Sequence, residues 1–583
     1  MSIWDKLEND EINTDVLNTS NTSNLSNLSN IKLKDAKGIK LILDNEGITM
    51  YISKLQELKL YNKLISMFTI RIKTIMGYIK KVNAYSKNDK NTKITFPRFG
   101  VMNYFKNNFK NYIIIKKLCN GERPLVDFKW EDCYKENQII IKDYIMNNIY
   151  NEENRKLGNC GLILNLEAGQ GKSYLAAGLI EKLQKKTLII CHNKSILNQW
   201  VELLTKAYPN NKIGTYYGEK KIDGDIIVGI INSLLLDDIY FDEVKQGKNV
   251  IKEKKIIKNR DFFDMFGYVI LDEIHEYSGG KRKNIYKLIQ SKYMLGLSAT
   301  PDENSYGMDS INTWNCGDIL IADKLDGYST ENINFKGDVI KIEYKGNTQY
   351  TDLILNEKLG VISCSSMISQ LCEDPYRLFL ITKTIFELLN NKQYIFVFTD
   401  RREYLNKIKL MLEKQNISSL FLLNKKDEIY ITNLMGGSKA SDVEFAKSQS
   451  KIILTTYQFM GTGVSIPKMD AIVLATPRKS KSKQYINRIF RLGSNYDITR
   501  KIVDVVDVMT PMKSQYYKRK KHYDEKNYPI TKIKSNWEDL EKEMKEKELF
   551  NTFMETINNE IVVNVESNDL SKQISELKIL LSS

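Results

Sequence analysis

The segment that most constrains the fold of this chain is LILNLEAGQGKSYLAAGLI, at residues 162–180. An apolar, strand-like run leads into a glycine-containing turn, and a helical pattern follows the turn. Glycines in such a turn let backbone N–H groups close around phosphates at the amino terminus of the helix. The segment therefore predicts a strand, a phosphate-binding loop and a helix in succession.

The loop provides a candidate set of nucleotide-binding residues, which are Ala168, Gly169, Gln170, Gly171, Lys172 and Ser173. The ammonium group of Lys172 would reach the β- and γ-phosphates, and the hydroxyl group of Ser173 would ligate Mg²⁺. The complete pattern has glycine at position 166, where this chain has Leu166. The strand and helix patterns on both sides favour a phosphate-binding loop over a chance match.

A second apolar run, YVIL, ends in the paired carboxylates Asp272 and Glu273. Asp272 would hold the metal ion, and Glu273 would orient and deprotonate an attacking water molecule. Taken alone, the DEIH sequence would fit an acidic surface turn, but behind a phosphate-binding loop it predicts nucleotide hydrolysis. The next apolar run ends in Ser298 and Thr300, hydroxyl residues suited to relaying the state of the γ-phosphate between lobes.

The segment SKSKQYINRIFR places Gln484, Arg488 and Arg491 on one face of a predicted helix, at spacings i, i+4 and i+7. Transfer of a phosphoryl group needs positive charge at the γ-phosphate, and two arginines from a second lobe would supply it when the lobes close. A basic, solvated helix is the alternative interpretation of this segment.

Strand-like runs alternate with helical periodicity along most of the chain, which predicts an α/β fold with parallel sheets. An Asn- and Ser-rich stretch near the amino terminus cannot bury much apolar surface, so we expect disorder there. The predicted parts are a disordered amino terminus (1–30), a small accessory domain (31–118), a first α/β lobe (119–325), a second α/β lobe (326–525) and a charged helical tail (526–583).

Charge and cysteine content limit the partners and the compartment. The formal net charge of +15 favours a polyanionic partner such as nucleic acid, although lysine is abundant throughout the chain. The seven cysteines show neither zinc-ligand spacing nor a disulfide framework, so we expect a reducing, intracellular compartment. The amino terminus is polar and acidic and no run of about eighteen apolar residues occurs, so we expect neither a secretory signal nor a membrane span.

Taken in order, AGQGKS, DEIH, SAT and QYINRIFR resemble the motifs of the superfamily 2 helicases of the DExH type. The segments that resemble lesser motifs of that superfamily lie at 187–200, 225–234, 394–405 and 453–478. FPRFG at 96–100 and VDVVDVMTPMKSQYYKRKKHY at 503–523 are similar to the poxvirus transcript-release helicases, their relatives in other large DNA viruses and the phage UvsW-type helicases.

The resemblance implies two tandem RecA-like lobes that bind ATP and Mg²⁺ between them and translocate on or unwind nucleic acid. It implies 3′-to-5′ movement, DNA rather than RNA as the track, and work with the viral transcription machinery or in DNA repair. It also implies packaging in a virion or location at a cytoplasmic viral factory. The alternatives are a translocase that remodels nucleoprotein complexes without separating strands, and a binding subunit without ATPase activity.

The resemblance also implies roles for single residues. Gln138 would read the adenine, and Gly463 would contact the nucleotide. His275 and Gln484 would couple the nucleotide site to the nucleic acid, together with the hydroxyl groups of the SAT motif. The residues that lie in motifs contacting the nucleic-acid backbone in relatives are Lys194, Ser195, Asn232, Ser233, Arg401 and Thr456.

Two positions depart from the family pattern, with Ser465 in place of aspartate and Asn487 in place of glycine. Neither change removes a phosphate or metal ligand, so we expect an active ATPase with altered coupling or nucleotide affinity. Independently of the family, MKSQYYKRKKHY at 512–523 interleaves cations with Tyr516 and Tyr517. That pattern suits stacking on a single nucleic-acid strand, or equally a solvated basic helix.

Overall fold

A computed structural model describes most of the chain between residues 34 and 556. The described ranges are 34–44, 46–73, 78–118, 120–122, 124, 135–167, 169–218, 220–236, 238–244, 252–302, 307–329, 335–357, 360–414, 430–460, 466–478, 482–490 and 497–556. The predictions for residues 1–30, Ala168, Gly463, Ser465 and Arg491 lie outside the described residues.

The first lobe is built on an eight-stranded sheet. From one edge to the other, its strands are Lys220–Ile222, Ile213–Tyr217, Ile226–Ile230, Thr187–Cys191, Tyr268–Asp272, Tyr293–Ser298, Gly161–Asn165 and Ile319–Ile321. All neighbours are parallel except Lys220–Ile222, which runs antiparallel to its partner. The central strands are buried along their whole length, as expected of a parallel sheet that is covered on both faces.

Strand register brings the motifs of the first lobe to one edge of this sheet. Asn165 pairs with Ser298, and Asp272 pairs with Leu297. Because parallel strands share their carboxyl ends, the phosphate-binding loop, the DEIH sequence and the SAT sequence follow neighbouring strand ends. Alternate residues of the Gly161–Asn165 strand enter separate buried clusters, with Leu162 and Leu164 on one face and Ile163 on the other.

Helices and short insertions complete the first lobe. The α-helices are Glu136–Tyr144, Glu152–Leu157, Lys172–Leu183, Lys194–Ala207, Ile231–Leu234, Asn259–Asp264 and Ser310–Cys316. A π-helix spans Ile145–Ile149, and 3₁₀ turns span Ile274–Tyr277, Arg282–Lys287 and Ala322–Lys324. An antiparallel pair, Asp238–Val244 with Lys252–Lys258, is inserted ahead of the strand that ends at Asp272.

The second lobe is built on a seven-stranded, fully parallel sheet. Its strands, in spatial order, are Ile431–Leu434, Ile452–Thr456, Ile395–Thr399, Ala471–Leu474, Arg500–Asp507, Gly337–Lys345 and Ile530–Asn536. Its helices are Thr348–Thr351, Cys364–Leu371, Pro375–Asn390, Arg402–Glu413, Ala440–Ser448, Tyr457–Met460, Ser482–Ile486, Ser514–Glu525 and Trp537–Glu546, with a 3₁₀ turn at Pro511–Lys513. Both lobes therefore have the predicted α/β architecture with parallel sheets.

The second lobe continues past residue 525, where we predicted a charged tail to begin. The strand Ile530–Asn536 pairs with Gly337–Lys345, and the following helix buries Leu540 and Met544 in the core of the lobe. The prediction of a tail is therefore wrong for residues 530–556. Charged residues dominate the composition of this helix, but two apolar residues spaced i, i+4 are enough to bury one face.

The amino-terminal part forms a separate small sheet with its own core. Its strands, in spatial order, are Ser86–Lys87, Lys93–Phe96, Gly47–Tyr51, Lys40–Asp44 and Ile113–Lys116, and its helices are Ile52–Glu57, Tyr61–Met67 and Arg98–Asn108. Two further pairs are Thr69–Lys73 with Ile79–Asn83 and Lys34–Asp35 with Phe109–Lys110. Within the part of the chain that the structure describes, no helix is both long and apolar enough to cross a bilayer.

Candidate nucleotide site between the two lobes

The phosphate-binding loop turns through two glycines in the left-handed region. Gly169 has φ 84° and Gly171 has φ 79°, and the helix Lys172–Leu183 begins directly after Gly171. The Lys172 ammonium donates to the backbone carbonyls of Leu166 at 2.7 Å and Glu167 at 3.3 Å. Because Leu166 uses its carbonyl here and buries its side chain in the lobe core, the loop forms without glycine at this position.

Gln138 contacts this loop from the helix Glu136–Tyr144. Its amide nitrogen lies 3.5 Å from the carbonyl of Gln170 and 3.4 Å from that of Gly171, and its amide oxygen accepts from the backbone N–H of Lys135. The residue is buried. The structure thus places Gln138 beside the loop, and its reading of adenine stays a prediction.

The two carboxylates of the DEIH sequence lie at the end of the strand Tyr268–Asp272. Asp272 accepts from the indole N–H of Trp200 at 2.8 Å and from the backbone N–H of Glu273 at 3.0 Å. Burial raises the pKa of Asp272 to about 6, and the neighbouring Glu273 carboxylate adds to the effect. Burial also acts to raise the pKa of Glu273, but the electrostatic effect of the nearby His275, Lys172 and Arg488 side chains outweighs it and lowers that pKa.

Four predicted coupling residues form one chain of hydrogen bonds. His275 Nδ1 lies 3.0 Å from the Ser298 hydroxyl, which accepts from the backbone N–H of Thr300 at 3.0 Å. On the other side of the ring, His275 Nε2 lies 3.2 Å from the amide nitrogen of Gln484 in the second lobe. Because an amide nitrogen only donates, Nε2 accepts, and the ring proton on Nδ1 donates to Ser298. These hydrogen bonds link the SAT sequence to the second lobe.

The helix predicted to carry Gln484 and Arg488 on one face is shorter than expected. The α-helix ends at Ile486, and the backbone N–H of Arg488 donates to the carbonyl of Tyr485 three residues earlier, in a tighter turn. The prediction of one regular helical face is therefore wrong beyond Ile486. Arg488 is nevertheless buried, which lowers its pKa to about 10, and the Glu273 carboxylate of the first lobe partly offsets this shift.

A cleft of about 240 Å³ lies between the lobes beside the phosphate-binding loop. Its walls include Gln170 and Thr300 from the first lobe and Asn487 and His522 from the second. His522 Nε2 lies 3.1 Å from the side-chain oxygen of Asn487. Asn487 therefore uses the side chain that distinguishes it from the family's glycine.

The helix Ser514–Glu525, which contributes His522, packs into the second lobe rather than presenting an open stacking surface. Arg519 makes a bidentate ion pair with Asp504, at 2.8 and 2.7 Å, and Tyr516 is buried. The prediction of a stacking surface is therefore wrong for these two residues. Tyr517 remains largely exposed.

Candidate nucleic-acid residues of the first lobe lie together at the carboxyl ends of its strands. Lys194 and Ser195 begin the helix Lys194–Ala207, and the Lys194 ammonium lies 5.4 Å from the ring centre of Tyr217. The backbone N–H of Gly218 donates to the hydroxyl of Ser233 at 3.3 Å. Asn232 occupies the same short helix as Ser233. The structure thus places the four predicted residues on one surface.

The two candidates of the second lobe have partners within that lobe. The Arg401 guanidinium donates to the carbonyl and hydroxyl of Ser365, at 2.6 and 2.8 Å, and to the hydroxyl of Ser369 at 3.0 Å. Thr456 ends the strand Ile452–Thr456 and accepts from the backbone N–H of Phe459 at 3.2 Å. Their contact with nucleic acid stays a prediction.

Comparisons with known proteins agree with this arrangement. A family model described as "Type III restriction enzyme, res subunit" matches residues 132–303. The putative ATP-dependent RNA helicase QP509L of African swine fever virus is 32% identical over 398 residues, which cover 64% of this chain and 70% of the relative. The chain belongs to the superfamily 2 helicases of large DNA viruses.

Other relatives of this helicase also come from large DNA viruses. The putative ATP-dependent RNA helicase L396 of Acanthamoeba polyphaga mimivirus is 25% identical, with 73% of this chain and 75% of the relative covered. The transcript termination protein A18 of Yaba monkey tumor virus is 22% identical, with 56% and 64% covered. The solved structure of T4 UvsW is 17% identical, covers 86% of this chain and 99% of that chain, and has a TM-score of 0.32.

Membership makes the chain an ATP-dependent helicase that binds nucleic acid. Two contacts of its site were not predicted from the sequence. They are the hydrogen bond from the Trp200 indole to Asp272 and the contact between His522 and Asn487. Trp200 lies in the segment 187–200, which resembles a helicase motif, so the family resemblance could have indicated a role for this residue in the site. Only the departure at Asn487 hinted at the second contact.

Proposed function

We propose that this helicase is an ATP-driven motor that moves 3′-to-5′ on DNA and serves viral transcription by releasing transcripts. The observation that carries the proposal is the contact between Gln484 and His275, because it connects the hydrolytic carboxylates to the second lobe. The transcript termination protein among the relatives supports the transcriptional role. Other relatives are named RNA helicases, so the choice of DNA needs a direct test. Location in a virion or at a cytoplasmic viral factory stays a prediction from the resemblance.

The side chains around the carboxylates fit a magnesium ion and the phosphates of ATP. Each Asp272 oxygen accepts one hydrogen bond from a described donor, and a carboxylate has about four acceptor positions, so the group keeps capacity for an ion. Asp272 and Ser173 would hold Mg²⁺, which prefers such oxygen ligands and supplies positive charge beside the phosphates. Lys172 would exchange its contacts with loop carbonyls for the β- and γ-phosphates.

We propose Glu273 as the general base. Its Oε2 atom is buried and accepts no hydrogen bond from the residues that the structure describes, with His275 Nδ1 at 3.4 Å. Its lowered pKa keeps it ionised near neutral pH, so it can accept a proton from water. Arg488 would bring positive charge from the second lobe, and Arg491 is proposed to act with it.

An ATPase assay under four conditions tests the proposal: with single-stranded DNA, with double-stranded DNA, with single-stranded RNA and without nucleic acid. The rate should rise most with DNA, less with single-stranded RNA, and least without nucleic acid, with Glu273→Gln as the inactive control. Duplexes with a 3′ or a 5′ single-stranded tail then report direction, and we expect strand displacement only from the 3′ tail. Stimulation by RNA alone would refute the DNA track.

Translocation without strand separation is the second candidate. Displacement of a triplex-forming strand measured beside duplex displacement distinguishes the two. Triplex displacement without duplex unwinding would favour the remodelling translocase.

A further inference from the structure

The contact between His522 and Asn487 joins two elements of the second lobe at the cleft. His522 lies on the helix Ser514–Glu525 and is 2% exposed, and Asn487 directly precedes Arg488. Their side chains approach to 3.1 Å, between Nε2 of the ring and the amide oxygen. Glycine, which the superfamily pattern has at this position, has no side chain to make the contact.

The chemistry of the pair determines its direction. An amide oxygen only accepts, so the ring donates its proton from Nε2, and Nδ1 carries a lone pair. Nδ1 is buried without a hydrogen-bond partner among the described residues, and Glu525 Oε2 lies 3.9 Å away. The bond to Asn487 is therefore the hydrogen bond that orients the ring within the described part of the chain.

The helix that carries His522 is a rigid support. Asp504, on the strand Arg500–Asp507, accepts both from the Arg519 guanidinium and from the Tyr523 hydroxyl at 2.8 Å. Both donors are buried and lie within three residues of His522 in sequence. A ring mounted on such a helix can hold a neighbouring segment in place.

The segment that it holds lacks regular structure of its own. The α-helix ends at Ile486, and Asn487 and Arg488 continue in a turn whose backbone bonds reach back to Lys483 and Tyr485. A side-chain anchor at Asn487 would therefore restrict where the next side chain points. That next side chain is Arg488, which is buried and lies near enough to the Glu273 carboxylate of the first lobe for its positive charge to lower the pKa of that group.

We propose that His522 is a positioning residue, which holds Asn487 and thereby aims Arg488 at the hydrolytic site. This inference rests on the role proposed for Arg488. Asn487 has the side-chain oxygen that accepts the hydrogen bond from His522, and glycine at this position would not have it. The helix Ser514–Glu525 thus becomes part of the machinery that orients the arginine.

A set of single and double variants tests the inference by steady-state ATPase kinetics. His522→Phe keeps a ring but removes the donor, and it should lower kcat about three- to tenfold, the effect of one neutral hydrogen bond, with little change in KM. His522→Gln keeps a donor and should recover most of the rate. Lys520→Ala, on the exposed side of the same helix, is the control and should match the wild type.

Double variants separate positioning from a general loss of structure. His522→Phe combined with Asn487→Gly should be no worse than the worse single variant, and His522→Phe should cost nothing further in the Arg488→Ala background. Melting temperatures measured on the same proteins report folding. Additive losses in either background, or full kcat in His522→Phe, would overturn the inference. Failure of the proposed motor would instead show as no nucleic-acid stimulation in the wild type.

Discussion

The side-chain amide nitrogen of Gln484 lies 3.2 Å from Nε2 of His275, and this contact joins the two lobes. The same ring binds the Ser298 hydroxyl at 3.0 Å, so one imidazole receives contacts from both sides of the cleft. A change in the distance between the lobes must break or bend the bond to Gln484. We therefore propose that His275 couples the state of the nucleotide site to lobe closure.

Loss of this bond should weaken coupling. We expect Gln484→Leu to reduce the nucleic-acid-stimulated ATPase rate several-fold, because the partly buried donor to His275 is removed. Rates measured with and without DNA give the stimulation ratio, which should fall towards one. Gln56→Leu, an exposed position in the amino-terminal domain, is the matched control. An unchanged ratio in Gln484→Leu would contradict the coupling role.

Substitutions of Glu273 and of Lys172 should impair ATP hydrolysis in different ways. We expect Glu273→Gln to bind ATP normally and to lower turnover by roughly 10²- to 10⁴-fold, the contribution of a general base. Lys172→Ala should weaken ATP binding as well, because it removes positive charge from the phosphates. Binding of a fluorescent ATP analogue, measured beside phosphate release, separates the two effects. Near-normal turnover in Glu273→Gln would mean that another group is the base.

His522 should make stability depend on pH. Burial, followed by the positive charges of Lys483 and Lys526, lowers its pKa to about 4, with Glu525 and Glu167 acting in the opposite direction. The unfolded chain then binds a proton near pH 6.5 that the folded chain does not, so stability falls as pH drops from about 6.5 towards 4. We expect this group to cost about 2 kcal/mol at pH 5 relative to pH 7.

The variant His522→Gln isolates that contribution. Urea unfolding of the wild type and the variant at pH 7 and pH 5 gives a difference from which the other titrating groups cancel. The wild type should lose about 2 kcal/mol more than the variant on acidification. Equal losses would show that His522 has the same pKa in the folded and the unfolded chain.

Arg98 should be essential for attachment of the amino-terminal domain. Its guanidinium is fully buried and donates to the backbone carbonyls of Gly158, Ser291 and Lys292, at 2.7, 2.5 and 3.3 Å. Arg98→Met would leave these carbonyls without their donor. Each fully buried carbonyl left without a hydrogen bond lowers the free energy of unfolding by about 1–3 kcal/mol. We expect a lower unfolding midpoint and faster proteolysis between this domain and the first lobe, whereas Arg71→Met, at an exposed position, should change neither.

The sequence was most informative where the residues concerned lie at the carboxyl ends of apolar strands or in the loops that follow them. Asp272 ends one strand and Lys172 follows the loop after another, and parallel register brings those strand ends together, so their proximity was predictable. The contact of His522 with Asn487 joins positions that no periodicity relates, and it depends on how two helices pack. The early end of the helix at Ile486 also escaped prediction, because helix propensity is a weak guide to where a short helix ends in a packed protein.

The ion pair between Lys526 and Glu167 provides the last prediction, because it connects the second lobe directly to the phosphate-binding loop. Both side chains are partly exposed, at 36% and 51%, so the pair should contribute little to stability. Because the pair joins the two lobes, we expect it to affect lobe closure more than stability. We expect Lys526→Glu, which places two negative charges together, to raise KM for ATP about two- to fivefold at low salt. The effect should shrink at about 0.5 M salt as screening weakens the repulsion.

Reversal of the pair tests whether the two charges act on each other. Lys526→Glu combined with Glu167→Lys restores opposite charges and should return KM towards the wild-type value, although each single change raises it. Lys520→Glu is the control, since it alters charge equally on the same helix but faces Asp524 within the second lobe. A double variant worse than either single one would mean that Glu167 acts on the nucleotide independently of Lys526. Recovery would establish that Lys526, directly after the helix Ser514–Glu525, interacts electrostatically with Glu167 at the phosphate-binding loop.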